Sequence, residues 1–379
     1  MGKLKNILIL FICLIYGLFR GRADKKIINP KKILIVQLAK MGDMVCTTPV
    51  FRAVKQIHPG CKIYLVCRSY NRELLEGNKD VDEFFEFDQK KICKNIKQIK
   101  KESFDAAILF NFSFSFLASA FLANIPCIVA PYLDGDECIY ETRPFKLLRR
   151  LTEAKPYRIG GYIPLANLGL LEPINVFSGN TEKYLAYSEK AKIKIDELLV
   201  NNKILESDCL VGISPVSGSK MKLWSAEKFA QLADTLVKEY QVRIFLVGNN
   251  DEAQINLVMG SIKNKKQIIN TFDLLNLEEL KALMARLNIF ISCDTGPVYI
   301  AEALKTPTID IVGPIDENEQ PPRGKLNKIV KINRPKAAVH IMNASKFDKK
   351  EAYTQINNIT VEMVIEKFKE LLEEIKYEK

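Results

Sequence analysis

From residue 31 onward, short runs of β-branched and other apolar residues alternate with segments of helical periodicity. This alternation is typical of βα units that build a parallel sheet. The candidate strands of a first series are residues 33–38, 63–67, 106–110 and 125–129. After a polar passage around residues 172–185, a second series has candidate strands at 210–214, 242–247, 268–270, 289–292 and 308–312. The sequence predicts two similar α/β halves, and 379 residues are enough for both.

Two helices of the second half have recognisable first residues. Ser225 is a candidate N-cap, and Trp224 and Phe229 have the spacing of a hydrophobic staple. Another helix is predicted to begin near Asn276, with Glu279 three residues further on.

The composition is that of a globular protein, because 47% of the residues are hydrophobic and 27% are charged. It excludes a disordered acidic chain and a protein with many membrane spans. The 56 Lys and Arg residues exceed the 45 Asp and Glu residues, and a net charge of +11 favours a partner that carries phosphates. Charge alone leaves nucleotide, nucleic acid and anionic lipid open. Aromatic and basic residues are not interleaved as in nucleic-acid binders, so nucleic acid is disfavoured.

Nine scattered cysteines without a C-x-x-C pair predict free thiols in a reducing compartment.

The N-terminus contains an apolar run at residues 7–19 between Lys3 and Lys5 on one side and Arg20, Arg22, Lys25 and Lys26 on the other. The run is shorter than the roughly twenty residues of a membrane span, and positive charge follows it where a cleavage site would stand. We therefore expect an uncleaved interfacial anchor whose basic flanks lie at anionic headgroups of the cytoplasmic leaflet, which gives a cytoplasmic protein peripherally associated with the inner membrane. A short signal anchor and a helix buried on the protein body are the alternatives.

A second basic cluster occurs in the segment RPFKLLRRL, where helical spacing places Arg143, Lys146, Arg149 and Arg150 along one side. A solvated helix face and a surface for membrane or acceptor phosphate both fit this pattern.

Ligands of open parallel sheets bind outside the carboxyl ends of the strands, so we expect the functional residues at those positions. Gly42 and Asp43 follow the first candidate strand and precede a helix. Gly42 permits a tight turn that presents the carboxylate. Asp43 is a candidate general base for an acceptor hydroxyl, and the alternative is an aspartate that only caps the helix.

The first strand of the second half leads into a small, hydroxyl-rich loop that contains Ser217, Gly218 and Lys222. Backbone N–H groups, hydroxyls and a lysine at this position suit a phosphate. The spacing is not that of a Walker A loop, and no G-x-G-x-x-G follows a strand, which disfavours a nicotinamide dehydrogenase.

Two further strand ends of the second half carry polar residues. Asp294, Thr295 and Gly296 follow the strand at 289–292, and a helix dipole there would favour negative charge. Asp294 could instead be a plain N-cap. Glu252 follows the strand at 242–247 and could accept hydrogen bonds from a ribose. Together these strand ends predict a nucleotide-diphosphate pocket.

A short acidic motif in the first half, Asp134-Gly135-Asp136, matches the D-x-D pattern of some metal-dependent sugar-nucleotide enzymes. Three residues are a weak match, and the same tripeptide is an ordinary turn, so no metal site is predicted there.

Taken in order, five segments resemble the family 9 glycosyltransferases, which include the lipopolysaccharide heptosyltransferases. The segments are ILIVQLAKMGDMVCTTPVFRAVKQIHP, LLEGNKDVDEFFEFD, ISPVSGSKMKLWSAEKFAQLADTLV, LEELKALMARLNIFISCDTGPVYIAEALKTPTIDIVGP and ITVEMVIEKFKELL. The resemblance implies a GT-B fold, with two Rossmann-like parallel-sheet domains facing across a cleft. The apolar N-terminal anchor predicted above would precede these two domains. It also implies inverting transfer, without metal or cofactor, from a nucleotide sugar, with ADP-heptose suspected, to a lipid-linked glycan such as the lipopolysaccharide core.

The resemblance also assigns roles to residues. It places the general base on Asp43 after Gly42, the phosphate-binding lysine on Lys222 and the upstream hydroxyl on Ser217. The ribose carboxylate falls on Glu252, and the donor-binding triplet falls on Asp294, Thr295 and Gly296.

Three positions depart from the family pattern. The family commonly has a basic residue where this chain has Gln37, a histidine where it has Tyr299, and threonine and aspartate where an acidic pair follows Pro314. The departures at Gln37 and Tyr299 leave open the alternative of a non-catalytic, membrane-tethered paralogue that binds nucleotide or glycan.

The expected domain organisation has four parts. We expect a membrane-associating segment at 1–30, an acceptor domain at 31–180, a nucleotide-sugar domain at 181–345 and a C-terminal helical segment at 346–379.

Overall fold

A computed structural model describes residues 3–134, 138, 140–341 and 347–378. The chain divides into two compact units. Unit 1 comprises Met1–Arg72 and Asn78–Lys183, and unit 2 comprises Glu73–Gly77 and Tyr184–Lys379.

Unit 1 is built on a six-stranded parallel sheet with the order β3-β2-β1-β4-β5-β6. Its strands are β1 Lys32–Gln37, β2 Lys62–Cys67, β3 Glu83–Phe84, β4 Ala106–Leu109, β5 Cys127–Asp134 and β6 Glu153–Arg158. The central strand β1 pairs with β2 and β4 on its two sides, so that Ile33 lies between Ile63 and Ala106. The order reverses between β1 and β4, which is the topological switch point of this sheet.

Eight α-helices precede, separate or follow these strands along the described part of unit 1. They are α1 Lys3–Arg20, α2 Met41–Val45, α3 Thr48–Ile57, α4 Ser69–Leu74, α5 Ile92–Glu102, α6 Phe114–Leu122, α7 Arg143–Arg149 and α8 Ile163–Gly169, with a 3₁₀ turn at Glu172–Ile174. Apolar runs form the strands because β1 and β4 are buried on both faces, as expected for a parallel sheet covered by helices.

Unit 2 repeats this winding with a second six-stranded parallel sheet, in the order β12-β11-β10-β7-β8-β9. Its strands are β7 Leu210–Ser214, β8 Arg243–Leu246, β9 Ile268–Asn270, β10 Ile289–Cys293, β11 Thr308–Ile311 and β12 Asn327–Val330. The switch point lies between β7 and β10. The expected pair of parallel-sheet α/β halves is therefore confirmed.

The helices of unit 2 precede, separate or follow these strands in the sequence. They are α9 Glu189–Asn201, α10 Ala226–Tyr240, α11 Glu252–Ser261, α12 Leu277–Met284, α13 Gly296–Ala303, α14 Lys349–Asn357 and α15 Val361–Glu378, with 3₁₀ turns at Lys220–Lys222 and Lys265–Gln267.

Both predicted helix starts of unit 2 are confirmed. The Ser225 hydroxyl accepts a backbone N–H from the first turn of α10, and the Trp224 and Phe229 rings meet edge to face with centroids 5.0 Å apart. The side chain of Asn276 and the side chain of Glu279 form a reciprocal capping box at the start of α12.

The N-terminal helix α1 packs one face against α6 and α7 in the core of unit 1, where Ile9, Leu10 and Cys13 are buried. Its other face is exposed and apolar, with Leu18 at 83% and Phe19 at 85% exposure. Across the described residues, no helix combines the length and apolar character needed to cross a bilayer. The structure shows a half-buried helix, and it does not show the predicted anchor.

One cation from each of the two basic clusters turns toward the protein. The Arg20 guanidinium donates to the carbonyl of Phe121 in the last turn of α6 and to the carbonyl of Ile125 just beyond it, and it stacks on the Phe121 ring. In α7, Arg149 pairs with the buried Glu141 at 2.9 Å. The expected placement of Arg20 at lipid headgroups is therefore wrong. For Arg149, a solvated face and a membrane surface were both open, and its ion pair with Glu141 supports neither.

Candidate functional site

In unit 1, Asp43 lies in the short helix α2, just beyond the carboxyl end of β1 and hence at the switch point of its sheet. The Asp43 carboxylate accepts the backbone N–H of Lys40 at 3.1 Å. Capping of α2 is therefore part of its role. Asp43 is half-buried, and Gly42 beside it is buried.

A buried polar network supports the backbone of this loop. Thr47 donates its hydroxyl to the Asp43 carbonyl at 2.8 Å and accepts the Gln37 side-chain amide at 3.0 Å. The Asn167 amide reaches the same Thr47 hydroxyl at 3.4 Å and accepts the Tyr157 hydroxyl at 2.8 Å. These bonds fix the strand-to-helix turn that carries the candidate base.

The network explains one departure from the family pattern. Gln37 is 3% exposed, and its carbonyl oxygen accepts the Ala39 N–H at 3.2 Å while its amide holds Thr47. A neutral amide can both donate and accept here, which a lysine or arginine cannot do.

The pKa of the buried Tyr157 phenol responds to the charge of Asp43. Burial raises the pKa of the Tyr157 phenol well above its usual value, and the charge of Asp43 raises it further. The phenol stays neutral and remains a hydrogen-bond donor to Asn167.

In unit 2, the loop after β7 carries Ser217 and Lys222. The Ser217 hydroxyl accepts the backbone N–H of Ser219 at 3.3 Å, which stabilises the loop's own turn. Lys222 ends the 3₁₀ turn Lys220–Lys222, and its side chain is 24% exposed.

The structure brings Lys222 together with Asp294, which is 72 residues away in sequence. The Lys222 ammonium lies 2.5 Å from the Asp294 carboxylate oxygen Oδ2 and 3.2 Å from the Asp294 carbonyl oxygen. Asp294 follows β10, the strand that pairs with β7 across the switch point. Both residues therefore lie where an open sheet binds its ligand.

The other oxygen of this carboxylate has its own partner. The Tyr299 hydroxyl donates to Asp294 Oδ1, and both residues are almost completely buried. Asp294 thus bonds within the protein through both oxygens. The alternative that Asp294 is the N-cap of α13 is wrong, because that position belongs to Thr295.

Thr295 and Gly296 lie at the amino end of α13. Within the described part of the chain, the Thr295 hydroxyl oxygen is buried without a hydrogen-bond partner. The first N–H groups of a helix also lack intrahelical acceptors. This helix start therefore offers donors to an anion.

Beyond the carboxyl end of β8, Glu252 lies exposed in the first turn of α11. The preceding N-cap is Asp251, whose carboxylate accepts the Gln254 N–H at 3.1 Å. Gly248 between β8 and α11 has φ of +146°, and a Cβ there would lie 2.7 Å from Val216 in the Ser217 loop. Glycine at this position lets the loops after β7 and β8 touch, a requirement that sequence reasoning missed.

Among the residues of unit 2 that the structure describes, three metal-ligating side chains come together. His340 Nδ1 lies 3.2 Å from Asp316 and 3.3 Å from Glu319, and one ligand atom from each residue falls within 4.8 Å of the others. An ordinary pairing of a histidine with carboxylates has the same spacing, so these distances do not by themselves define a metal site. In the D-x-D motif, Asp134 lies 3.5 Å from Arg158, whereas Gly135 and Asp136 lie outside the described residues.

The family model Glycosyltransferase family 9 (heptosyltransferase) matches residues 92–349, which is more than half of the chain. The chain belongs to glycosyltransferase family 9. The recognition made from five sequence segments is confirmed, and so is the prediction that the protein is a glycosyltransferase.

Known members of the family resemble this glycosyltransferase along most of its length. Lipopolysaccharide heptosyltransferase 3 of Escherichia coli K12 is 26% identical over 290 residues, which are 73% of this chain and 80% of the relative. The crystal structure of the family 9 glycosyl transferase of Veillonella parvula has a TM-score of 0.74 at 19% identity, covering 90% of this chain and 98% of that one. Escherichia coli ADP-heptose lps heptosyltransferase II has a TM-score of 0.71 at 18% identity, covering 90% and 99%.

Proposed function

We propose that this family 9 glycosyltransferase transfers a sugar from a nucleotide-diphosphate donor to a lipid-linked glycan, with inversion at the anomeric carbon and without a metal ion. The observation that carries the proposal is the position of the polar residues. Asp43 lies at the switch point of the unit 1 sheet, and Lys222 with Asp294 lies at the switch point of the unit 2 sheet.

Heptose from ADP-heptose is the first donor to test, and the lipopolysaccharide core is the first acceptor. Two relatives support this choice by name. One is a lipopolysaccharide heptosyltransferase and the other is an ADP-heptose lps heptosyltransferase.

In the proposed reaction, an acceptor hydroxyl attacks the anomeric carbon while Asp43 takes its proton. A carbon–oxygen bond to the acceptor forms, the bond to the donor phosphate breaks, and the nucleoside diphosphate leaves with the bonding electrons. A half-buried carboxylate held in a fixed turn suits such a base, since general-base catalysis depends on positioning as well as on the pKa.

Unit 2 supplies the positive electrostatic environment for the leaving group. The Lys222 ammonium, the Thr295 hydroxyl and the N–H groups at the start of α13 are donors for a diphosphate whose charge grows in the transition state. Ser217 contributes a hydroxyl from the β7 loop, and the exposed Glu252 is assigned to the ribose hydroxyls.

A thermal-shift panel of ADP, GDP, UDP and CDP tests the donor half of this proposal. A ligand at 100 times its Kd adds about 2.7 kcal/mol of stability. Stabilisation by ADP alone supports ADP-heptose, and stabilisation by another nucleotide replaces that donor. Binding without turnover of any nucleotide sugar would instead support the non-catalytic paralogue, and no binding would contradict the proposal.

We further propose that the exposed face of α1 rests on the cytoplasmic surface of the inner membrane. Large apolar side chains cover this face, among them Leu4 at 81% exposure and Phe11 at 60%. The exposed Lys25 and Lys26 follow the helix and would meet anionic headgroups. The pairing of an apolar face with nearby cations favours an anionic lipid surface over a protein partner.

A further inference from the structure

Asp294 is the buried centre of a three-residue chain in unit 2. Only 1% of this residue is exposed, and its two carboxylate oxygens face two different donors, the Lys222 ammonium and the Tyr299 hydroxyl. Tyr299 itself is 2% exposed within α13. Its hydroxyl bonds to Asp294, and the ring is packed inside the unit.

This arrangement creates a conflict for Lys222. The proposed function requires the ammonium to bind a diphosphate, yet the same ammonium is the cation that neutralises a buried carboxylate. A buried charge that loses its partner is strongly destabilising. A contact between Lys222 and a phosphate therefore weakens the ion pair that neutralises the Asp294 carboxylate.

The Tyr299 hydroxyl relieves this conflict because it does not depend on the ligand. It donates to the Asp294 oxygen that Lys222 does not approach. When the ammonium turns toward a phosphate, the carboxylate keeps one hydrogen bond to a charged acceptor, which is stronger than a bond between neutral groups.

Resting on the proposed function, we infer that Tyr299 is a positioning residue for donor binding. Its hydroxyl holds Asp294 so that the Lys222 ammonium can be shared with the diphosphate of a nucleotide sugar. Tyr299 acts through Asp294 and Lys222 and does not touch the donor.

Calorimetric titration of the nucleoside diphosphates ADP, GDP, UDP and CDP into the full chain tests this inference. For the nucleotide that wild type binds, Tyr299→Phe should raise the Kd about tenfold, because Asp294 then competes harder for Lys222. In a Lys222→Met background, Tyr299→Phe should change the Kd less than about twofold, since the competing cation is gone.

The double-mutant comparison separates positioning from a merely structural hydrogen bond. A structural role would lower the melting temperature of Tyr299→Phe and leave the Kd of the folded protein unchanged, which would overturn the inference. An equal loss of affinity in the Lys222→Met background would also overturn it.

A second pair of variants keeps the test open if Tyr299→Phe alone does not fold. Asp294→Asn removes the charge that holds Lys222, so Asp294→Asn with Tyr299→Phe should bind nucleotide within about twofold of Asp294→Asn alone. A tenfold difference between these two would contradict the inference. If wild type binds none of the four nucleotides, the proposed function fails first and the inference fails with it, whereas binding by wild type with unchanged variants defeats the inference alone.

Discussion

At the scale of single residues, the sequence indicates the polar residues at the strand ends of both candidate sites but not the contacts these residues make with distant parts of the chain. Asp43, Lys222 and Asp294 were each predicted as polar residues at strand ends. The pairing of Lys222 with Asp294 was not, because the residues are 72 positions apart and no local pattern links them. The support of the Asp43 turn by Asn167 was missed for the same reason.

Lys222→Met should weaken nucleotide-diphosphate binding by about one to two orders of magnitude, because a hydrogen bond to a charged group contributes about 1.5–3 kcal/mol. The matched control is Lys220→Met, which removes an exposed ammonium from the same 3₁₀ turn. Calorimetric titration with the nucleotide that wild type binds measures both. Equal affinities in the two variants would remove Lys222 from the donor site.

A second residue-scale prediction concerns stability in acid. Burial alone would raise the pKa of Glu317, but hydrogen bonds from Lys331 at 2.8 Å and Arg334 at 2.7 Å lower it from 4.5 to about 2. A carboxylate whose pKa is lower in the folded protein than in the unfolded chain stabilises the folded state at pH values above the unfolded pKa. This stabilisation is lost as the pH falls from about 4.5 toward 2.

Glu317→Gln should therefore flatten the decline of melting temperature between pH 5 and pH 2 relative to wild type. Circular dichroism melts across this range provide the measurement. Glu370→Gln, which removes a surface ion pair with Lys367, is the matched control and should follow wild type. Identical acid profiles for Glu317→Gln and wild type would contradict the assignment.

At the scale of elements, the strands that sequence reasoning missed are β3, β6 and β12, and each is an edge strand. An edge strand pairs on one side and faces solvent, so it needs no continuous apolar run. β6 also contains Pro156, which an edge strand tolerates. The central strands were predicted to within a few residues because burial on both faces demands apolar sequence.

The assignment of Glu73–Gly77 to unit 2 also escaped sequence reasoning. The Lys281 ammonium, 0% exposed, donates to the Leu74 carbonyl at 3.1 Å, and the Glu73 carboxylate accepts the Leu277 N–H. Burial lowers the pKa of Lys281. A lysine on an apparently amphipathic helix gave no signal that a distant segment would cover it.

The element-scale prediction concerns α1. The double variant Leu18→Ser with Phe19→Ser should reduce co-sedimentation with phosphatidylglycerol vesicles tenfold or more, since burying each large apolar side chain contributes about 1.5–3 kcal/mol. Folding should be unaffected, because both side chains are exposed in the protein.

The matched control for α1 is Leu165→Ser with Phe177→Ser, which removes two exposed apolar side chains of unit 1 outside this helix. It should bind vesicles like wild type. If both double variants bind equally well, the α1 face is not the membrane-binding surface.

At the scale of the whole molecule, one winding order is used twice, and in each unit candidate polar residues follow a strand at the switch point, β1 in unit 1 and β7 and β10 in unit 2. This regularity is why the sequence alone could locate both candidate sites. It could not fix the donor, because donor choice depends on side-chain contacts that strand order does not specify.

The most direct test is heptose transfer from ADP-heptose to a lipid-linked core acceptor, measured by mass spectrometry for wild type, Asp43→Asn and Glu86→Gln, a control at an exposed residue of unit 1. Wild type and Glu86→Gln should transfer heptose, and Asp43→Asn should transfer it more slowly by a factor of about 10² to 10⁴ with ADP affinity unchanged. Undiminished transfer by Asp43→Asn would contradict the assignment of the base, and no transfer by wild type from any nucleotide sugar would contradict the central claim.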